Sequence, residues 1–148
     1  MLEKMDAFFA ARVNGYDQHM KTTIKGADEF YPYTASLLQK KKEEKILDLG
    51  CGTGLELEEY YRLNSLAKVT GIDCSPDMLE ALQKKFPEKE ITCIHGSYLE
   101  EPFGIELFDA AVSVESLHHF PAEKKRQCYR KLHAALKTDG YFVLTDYF

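Results

Sequence analysis

The sequence has no long hydrophobic run, no excess of positive charge and no paired cysteine motif, and each absence excludes a class of protein. No stretch of its 148 residues approaches the roughly 18 consecutive apolar residues that a membrane-spanning helix needs. Residues 1–6 lack the apolar core of a signal peptide. We therefore expect a cytoplasmic protein that does not interact with membranes.

Acidic residues outnumber basic ones, since there are 24 Asp and Glu and 19 Lys and Arg, and the formal net charge is −5. The one lysine run, residues 40–42, is followed at once by Glu43 and Glu44. Proteins that bind DNA or RNA usually concentrate cationic side chains on one face to displace counterions. The composition therefore argues against a nucleic-acid partner, and the lysine run is interpreted as a solvated helix end.

The four cysteines do not form a C-x-x-C motif and have no clustered histidines near them. Three of them fall in or beside predicted strands, where a thiol packs as a small apolar group. We predict neither a disulfide framework nor a metal site. The cysteines are Cys51, Cys74, Cys93 and Cys128.

Hydrophobic runs alternate with amphipathic segments, which predicts strands separated by helices. The predicted strands are 45–49, 69–72, 91–94, 110–114 and 141–145, and the predicted helices are 1–13, 26–42, 55–63, 76–86 and 121–136. Such alternation favours parallel strands joined by crossover helices. We expect a doubly wound α/β fold, with a mostly parallel sheet and helices on both faces. Residues 1–44 are predicted to form a helical segment of the same domain, and residues 45–148 to form its core.

A glycine-rich turn follows the first predicted strand, and an acidic residue ends the second. The glycines are Gly50, Gly52 and Gly54, and the acid is Asp73. A turn of this kind lets backbone N–H groups approach a ligand, while an acid about 20 residues later can bind a ribose diol. This pairing is typical of a nucleoside site.

The glycine spacing is Gly-x-Gly-x-Gly, whereas dinucleotide-binding folds use Gly-x-Gly-x-x-Gly to receive a diphosphate. Glu56, Glu58 and Glu59 follow the turn, and these carboxylates would repel phosphates at the start of the helix. A nucleoside ligand without phosphates is favoured, which argues against a nicotinamide-dependent oxidoreductase.

With these features the chain resembles the class I S-adenosylmethionine-dependent methyltransferases. Five motifs of that family have counterparts here in the same order, within residues 48–54, 71–79, 95–103, 108–120 and 136–144. The resemblance implies a Rossmann-like methyltransferase core that binds S-adenosylmethionine and releases S-adenosylhomocysteine.

The resemblance also implies which residues contact the donor. Asp73 would bind the ribose, although it could instead cap the helix that begins near Ser75. Met78 would pack on the adenine, although it could equally fill the core. Ser97 stands where many members of the family have an aspartate, so its contact with the adenine would be weaker. The implied donor-binding residues are Tyr16, Asp48, Gly50, Cys51, Gly52, Asp73, Cys74, Met78, Ser97, Tyr98 and Glu115.

His118 and His119 follow the fourth predicted strand, in a loop that would face the donor's methyl group. One of them could act as a general base, and the alternative is that they pack or cap the loop before Pro121. Methyl transfer does not require a base, because alignment of the acceptor with a good leaving group can suffice. Both roles stay open at this point.

The sequence ends directly after the fifth predicted strand, whereas a complete class I sheet adds a C-terminal antiparallel hairpin. We therefore expect a truncated chain or gene fragment that lacks this hairpin. An uncovered fifth strand would be an apolar sheet edge, which predicts a homodimer through that edge. The predicted function is methyl transfer from S-adenosylmethionine to a small-molecule acceptor, with a non-catalytic S-adenosylmethionine-binding domain as the alternative.

Overall fold

A computed structural model of the chain describes residues 17, 26–38 and 42–146. Within these residues the helices and strands alternate along the chain. They are α1 (Ala27–Leu38), β1 (Lys45–Leu49), α2 (Leu55–Leu63), β2 (Lys68–Asp73), α3 (Pro76–Lys85), β3 (Ile91–His95), β4 (Phe108–Val114), a 3₁₀ turn (Leu117–His119), α4 (Ala122–Ala135) and β5 (Leu136–Thr145). The predicted helix over residues 1–13 lies outside the described residues.

The described strands form one five-stranded sheet in the order β3-β2-β1-β4-β5. Every strand pair in it is parallel. The chain moves outward from β1 to β3 and then returns to place β4 on the other side of β1. The strand order therefore reverses between β1 and β4, where α/β sheets of this type hold their ligands.

Side chains that alternate along the strands build a hydrophobic core on each face of the sheet. Ile46 of β1 belongs to the core that also contains Leu57 of α2 and Leu82 of α3. Leu47, the next residue of β1, belongs to the opposite core with Leu132 of α4. Because successive strand residues point to opposite faces, helices cover both sides, and the predicted doubly wound fold is confirmed.

The described part of the N-terminal segment packs on this core. Leu38 of α1 is completely buried against the same face as α2. The Thr34 and Thr145 hydroxyl oxygens lie 2.6 Å apart, and the Tyr141 hydroxyl donates to the Leu38 carbonyl oxygen over 2.5 Å. Pro32 lies inside α1, and the predicted helix end at Lys42 is wrong because that residue lies in a turn.

The largest difference from the predicted elements concerns β5, which starts at Leu136 rather than at Tyr141. Leu136 pairs with Phe108, and Tyr141 pairs with Ala110. From Phe108 to Ala110 the chain advances two residues along β4, while the paired residues advance five along β5. Residues 137–140 therefore form a bulge within β5, whereas the predicted elements place them between the helix over 121–136 and the strand over 141–145. No antiparallel hairpin follows β4 or β5 within residues 42–146. The dimer through this edge stays a prediction.

Among the described residues, no helix is both long and apolar enough to span a membrane.

Candidate functional site

A cavity of about 280 Å³ opens at the carboxyl ends of β1, β2 and β4. It lies at the point where the strand order reverses, and three loops and the helices α1, α2 and α3 contribute to its wall. The wall consists of Tyr31, Gly50, Cys51, Gly52, Thr53, Leu55, Glu56, Asp73, Ser75, Met78, Val114, Glu115, Ser116 and His119.

The glycine turn fits this wall only because two of its residues have no side chain. Gly50 has a φ of +68°, and a Cβ atom there would lie 2.5 Å from the Ser116 hydroxyl oxygen. Gly54 has a φ of +77°, and its Cβ would lie 2.5 Å from Leu82 Cδ1. Any other residue would combine a strained backbone with a clash. The turn therefore brings bare backbone to the cavity.

Asp73 ties this turn to the end of β2. One carboxylate oxygen accepts a hydrogen bond from the Gly52 N–H over 2.8 Å, and the other accepts from the Ser75 N–H over 2.9 Å. The Ser75 hydroxyl in turn accepts from the Met78 N–H and caps α3. A carboxylate has about four lone-pair positions, so Asp73 retains acceptor capacity towards the cavity.

Acidic side chains dominate the charge of the wall. Glu56, Asp73 and Glu115 line the cavity, and within the described part of the chain no Lys or Arg lines it. Asp48 lies directly behind the wall and is completely buried. Burial, together with the neighbouring Glu56 carboxyl, raises the pKa of Asp48 well above its usual range. The site is therefore suited to a ligand that carries positive charge.

The loop after β4 completes the wall. Glu115 adopts a φ of 51°, and its N–H donates to the Thr145 carbonyl oxygen over 2.7 Å. His119 contributes to the wall, and its ring centroid lies 4.0 Å from that of His118. The His118 N–H donates to the carboxylate of Asp146 over 3.0 Å, and the His118 ring nitrogen Nδ1 contacts the same carboxylate. Asp146 thus fixes the turn that carries His119.

Comparison with known proteins identifies the family. The methyltransferase domain family matches residues 46–140. The chain belongs to this family.

Individual relatives agree with this assignment. An uncharacterised methyltransferase of Oceanobacillus iheyensis is 31% identical over 80% of this chain and 54% of its own. The 24-methylenesterol C-methyltransferase 2 of Arabidopsis thaliana is 32% identical over 72% of this chain and 30% of its own. A crystal structure of an S-adenosylmethionine-dependent methyltransferase from Mesorhizobium loti superposes with a TM-score of 0.67 and 27% identity, covering 76% of this chain and 51% of that one.

The chain spans about half the length of the first two curated relatives it matches. The methyltransferase domain described here therefore corresponds to part of those proteins. The resemblance to class I methyltransferases is confirmed by the family match and by the shared fold.

The methyltransferase domain brings most of the predicted donor-binding residues to one place. Those in the cavity wall are Gly50, Cys51, Gly52, Asp73, Met78, Glu115 and, of the two histidines, His119. Asp48 is not among the lining residues and is completely buried near Glu56, which does line the cavity.

Other predicted residues of the methyltransferase domain are not among those lining the cavity. Cys74 is exposed, and its thiol donates to the Gly96 carbonyl oxygen over 3.4 Å. The Ser97 hydroxyl accepts from the Leu99 N–H over 3.2 Å within its own turn. The Tyr98 and Ser116 hydroxyl oxygens lie 2.6 Å apart, so Tyr98 supports a residue of the wall from behind.

Tyr16 lies outside the described residues, so its predicted contact stays a prediction. Its neighbour Asp17 is described, and the Thr53 hydroxyl donates to its carboxylate over 2.5 Å. Lys85 Nζ lies 2.9 Å from the other carboxylate oxygen of Asp17. Asp17 therefore connects to the glycine turn through Thr53 and to α3 through Lys85.

Several wall residues were not among the predicted site residues, and the sequence carries only weak signals for them. Glu56 follows the glycine turn, but only the orientation of α2 turns its carboxylate inward. Ser116 reaches the cavity from the loop after β4, through packing that no local pattern encodes. Ser75 both lines the cavity and caps α3, and the cap is the role that its position before a proline indicates.

Proposed function

We propose that the methyltransferase domain binds S-adenosylmethionine in this cavity and transfers its methyl group to a small-molecule acceptor. The observation that carries the proposal is the meeting of Gly50, Gly52 and Asp73 in a single wall. A Cβ atom at Gly50 would block the close approach of a ligand to the backbone of the turn, and the Asp73 carboxylate is held beside it as a hydrogen-bond acceptor. Close backbone approach and a ribose acceptor are what a nucleoside ligand needs.

The charge of the wall supports this donor over a dinucleotide. S-adenosylmethionine carries a sulfonium and an ammonium group, whereas a dinucleotide carries two phosphates. Of the residues that the structure describes, three carboxylates line the cavity and neither Lys nor Arg does. Like charges at close range oppose binding, so the wall favours the cationic nucleoside and disfavours NAD.

Each part of the wall has a role towards this donor. Asp73 would accept from the ribose hydroxyls, Gly50 and Gly52 would allow the methionine portion to approach the backbone, and Met78 would pack on the adenine. The acids at positions 48 and 56 would face the ammonium group. When bound, the sulfonium supplies an electrophilic methyl and a good leaving group, so the protein has mainly to align the acceptor and exclude water.

The acceptor is proposed to be a small neutral or cationic molecule. The net charge of −5 does not suit a polyanionic nucleic acid. His119 lies in the wall, where its imidazole could take a proton from an acceptor hydroxyl or amine. A domain that binds the donor without catalysis is the second candidate, because the chain spans only about half of its curated relatives.

Calorimetric titration with S-adenosylmethionine, S-adenosylhomocysteine and NAD tests the donor assignment. We expect the first two to bind and NAD to fail, and binding of NAD alone would contradict the proposal. A radiolabelled methyl-transfer assay on a panel of small hydroxyl, amine and carbon acceptors then tests catalysis. Donor binding without transfer to any acceptor would favour the non-catalytic alternative.

The variants His118→Ala and His119→Ala distinguish the roles of the two histidines. His133→Ala is the control, because His133 lies on the exposed face of α4. If His119 is the base, its variant should lose activity about 100-fold or more, in line with general-base catalysis, and the pH dependence of the rate should flatten. Full activity in both variants would exclude a histidine base.

A further inference from the structure

Two hydroxyl groups meet at the β4 side of the cavity. Ser116 follows β4 and lines the cavity, whereas Tyr98, in the loop after β3, is only 5% exposed. Their hydroxyl oxygens lie 2.6 Å apart. The Ser116 oxygen also lies 2.5 Å from the position that a Cβ atom at Gly50 would occupy. The pair therefore places one hydroxyl directly over the bare backbone of the glycine turn.

The surroundings of Tyr98 determine which hydroxyl donates. Burial raises the pKa of Tyr98 to about 12, so this hydroxyl keeps its proton near neutral pH. Among the described residues, Ser116 is the one hydrogen-bond partner of the Tyr98 hydroxyl, and the Phe120 ring packs against the tyrosine ring with the centroids 5.7 Å apart. If Ser116 were the donor, the Tyr98 proton would be buried without an acceptor, which folded proteins avoid. We conclude that Tyr98 donates and Ser116 accepts.

This direction leaves the Ser116 proton available to a ligand. A serine hydroxyl has one proton and two acceptor lone pairs, and Tyr98 uses one of the lone pairs. Tyr98 is the one side-chain partner of the Ser116 hydroxyl within the described part of the chain. Because Ser116 lines the cavity, its O–H is a hydrogen-bond donor for a molecule bound there.

Lys131 of α4 fixes the backbone that carries Tyr98. Its ammonium group donates to the Tyr98 carbonyl oxygen over 2.6 Å and to the Glu101 carbonyl oxygen over 2.7 Å. The same nitrogen lies 4.1 Å from the centroid of the Phe103 ring. These contacts attach the loop after β3 to α4, so Tyr98 is in place before a ligand binds. It is therefore a positioning residue for Ser116.

Ser116 stands beside the part of the donor that reacts. In the proposed function the methionine portion approaches the backbone at Gly50, and the Ser116 oxygen lies over that backbone. His119, three residues further along the chain, lines the same cavity. The hydroxyl and the imidazole therefore border the space that a methyl acceptor has to enter.

An oxygen nucleophile can use the Ser116 proton during the reaction, whereas an amine cannot. A hydroxyl group has two lone pairs, so one can attack the methyl group while the other accepts from Ser116. A neutral amine has a single lone pair, and that pair has to attack. An amine in this position leaves the Ser116 proton unpaired where water is excluded, which weakens its binding in the transition state.

We propose that Ser116, oriented by Tyr98, donates a hydrogen bond to the oxygen of the methyl acceptor and thereby selects hydroxyl acceptors over amines. The inference rests on the proposed function and adds the chemical class of the acceptor. The acceptor oxygen forms a bond to the methyl carbon, and the bond between that carbon and sulfur breaks with its electron pair going to sulfur. The acceptor's own proton leaves to His119 or to water.

The test measures radiolabelled methyl transfer by the full chain near neutral pH, with matched acceptors that differ in one functional group. The pairs are phenol and aniline, catechol and 1,2-diaminobenzene, and 1-naphthol and 1-naphthylamine, all of which are uncharged under these conditions. We expect kcat/KM to favour the hydroxyl member by about tenfold or more. Ser116→Ala should lower kcat/KM for the hydroxyl member by about tenfold or more and change that of the amine by less than about twofold.

Tyr98→Phe should shift the same ratio in the same direction by about threefold or more, because Ser116 loses the group that orients it. Tyr129→Phe is the matched control, since Tyr129 lies on α4 and is 38% exposed, and it should behave like the parent. Calorimetric titration should give affinities for S-adenosylmethionine within about twofold of the parent in every variant, which also shows that each is folded. A purely structural role of Tyr98 would lower both members of a pair equally.

Urea unfolding tests the direction of the hydrogen bond without catalysis. Ser116→Ala leaves the Tyr98 proton buried without an acceptor, whereas Tyr98→Phe leaves a Ser116 hydroxyl that water in the cavity can reach. The unfolding midpoint should therefore fall further in Ser116→Ala than in Tyr98→Phe, and adding Tyr98→Phe to Ser116→Ala should recover part of the loss. The opposite order would show that Ser116 donates to Tyr98 and would overturn the inference.

The transfer assay separates failure of the inference from failure of the proposed function. A parent that prefers the amines, or an equal loss for both members in Ser116→Ala, would overturn the inference and leave the proposed function intact. Binding of S-adenosylmethionine without transfer to any of the six probes would overturn the inference and leave the donor assignment. If S-adenosylmethionine does not bind, the proposed function is contradicted, and the inference fails with it.

Discussion

Asp73→Asn is expected to loosen the glycine turn, because the carboxylate uses both of its oxygens there. The acceptor distances are 2.8 Å to the Gly52 N–H and 2.9 Å to the Ser75 N–H. An asparagine side chain has one oxygen, so its NH₂ group must face one of these two N–H groups. One hydrogen bond to a charged acceptor is lost and the other is weakened.

Hydrogen bonds to charged groups contribute about 1.5–3 kcal/mol each, so we expect the free energy of unfolding to fall by roughly 2–3 kcal/mol. With a urea dependence of about 1–3 kcal/mol per molar, the unfolding midpoint should drop by roughly 1 M or more. Asp139→Asn is the matched control, because Asp139 is exposed in the bulge of β5, and it should change stability by less than about 0.5 kcal/mol.

Urea unfolding followed by circular dichroism measures both variants under the same conditions. Equal midpoints for Asp73→Asn and Asp139→Asn would refute the reasoning that Asp73 holds the turn. Asp73→Asn should also weaken binding of S-adenosylmethionine, since the ribose would lose its charged acceptor.

Three further predictions concern stability and use the same unfolding assay. Gly71→Ala should lower the free energy of unfolding by about 1–3 kcal/mol through overpacking, because the added Cβ would lie 2.7 Å from Cys51 Sγ. Adding Cys51→Ala should recover part of this loss, and no recovery would contradict the contact. Glu115→Gly should be more stable than Glu115→Ala by about 1 kcal/mol, since the φ of 51° favours glycine, and equal stability would argue against this backbone geometry. Burial raises the pKa of Tyr98 to about 12, compared with about 10 in the unfolded chain. The stability that comes from the protonated Tyr98 hydroxyl should therefore be complete below about pH 10 and be lost as the pH rises through about 12. Tyr98→Phe should therefore reduce the loss of stability between these pH values, and an unchanged alkaline loss would count against the role of Tyr98.

The elements and the glycine turn could be predicted because their causes are local. A strand followed by Gly50 and Gly52 must turn tightly, and Ser75 followed by a proline is a strong helix start. Asp73 could be placed because it ends the neighbouring strand. Parallel strands bring such ends to one edge of the sheet.

The residues that were missed depend on packing between distant parts of the chain. Glu56 points into the cavity because α2 packs on the sheet by Leu57, which fixes the rotation of the helix. Ser116 reaches the same wall from the loop after β4. The start of β5 was placed too late because Gly140 resembles a turn signal, whereas in the fold it closes a bulge within the strand.

The central claim is that the glycine turn holds S-adenosylmethionine, and backbone amide NMR tests it most directly. The chain has nine glycines, whose amide resonances fall in a characteristic region of the spectrum. On addition of S-adenosylmethionine, we predict large shifts for Gly50 and Gly52 and none for Gly26 and Gly140, which are not among the lining residues. Unchanged resonances for Gly50 and Gly52 at a saturating concentration of the donor would contradict the account.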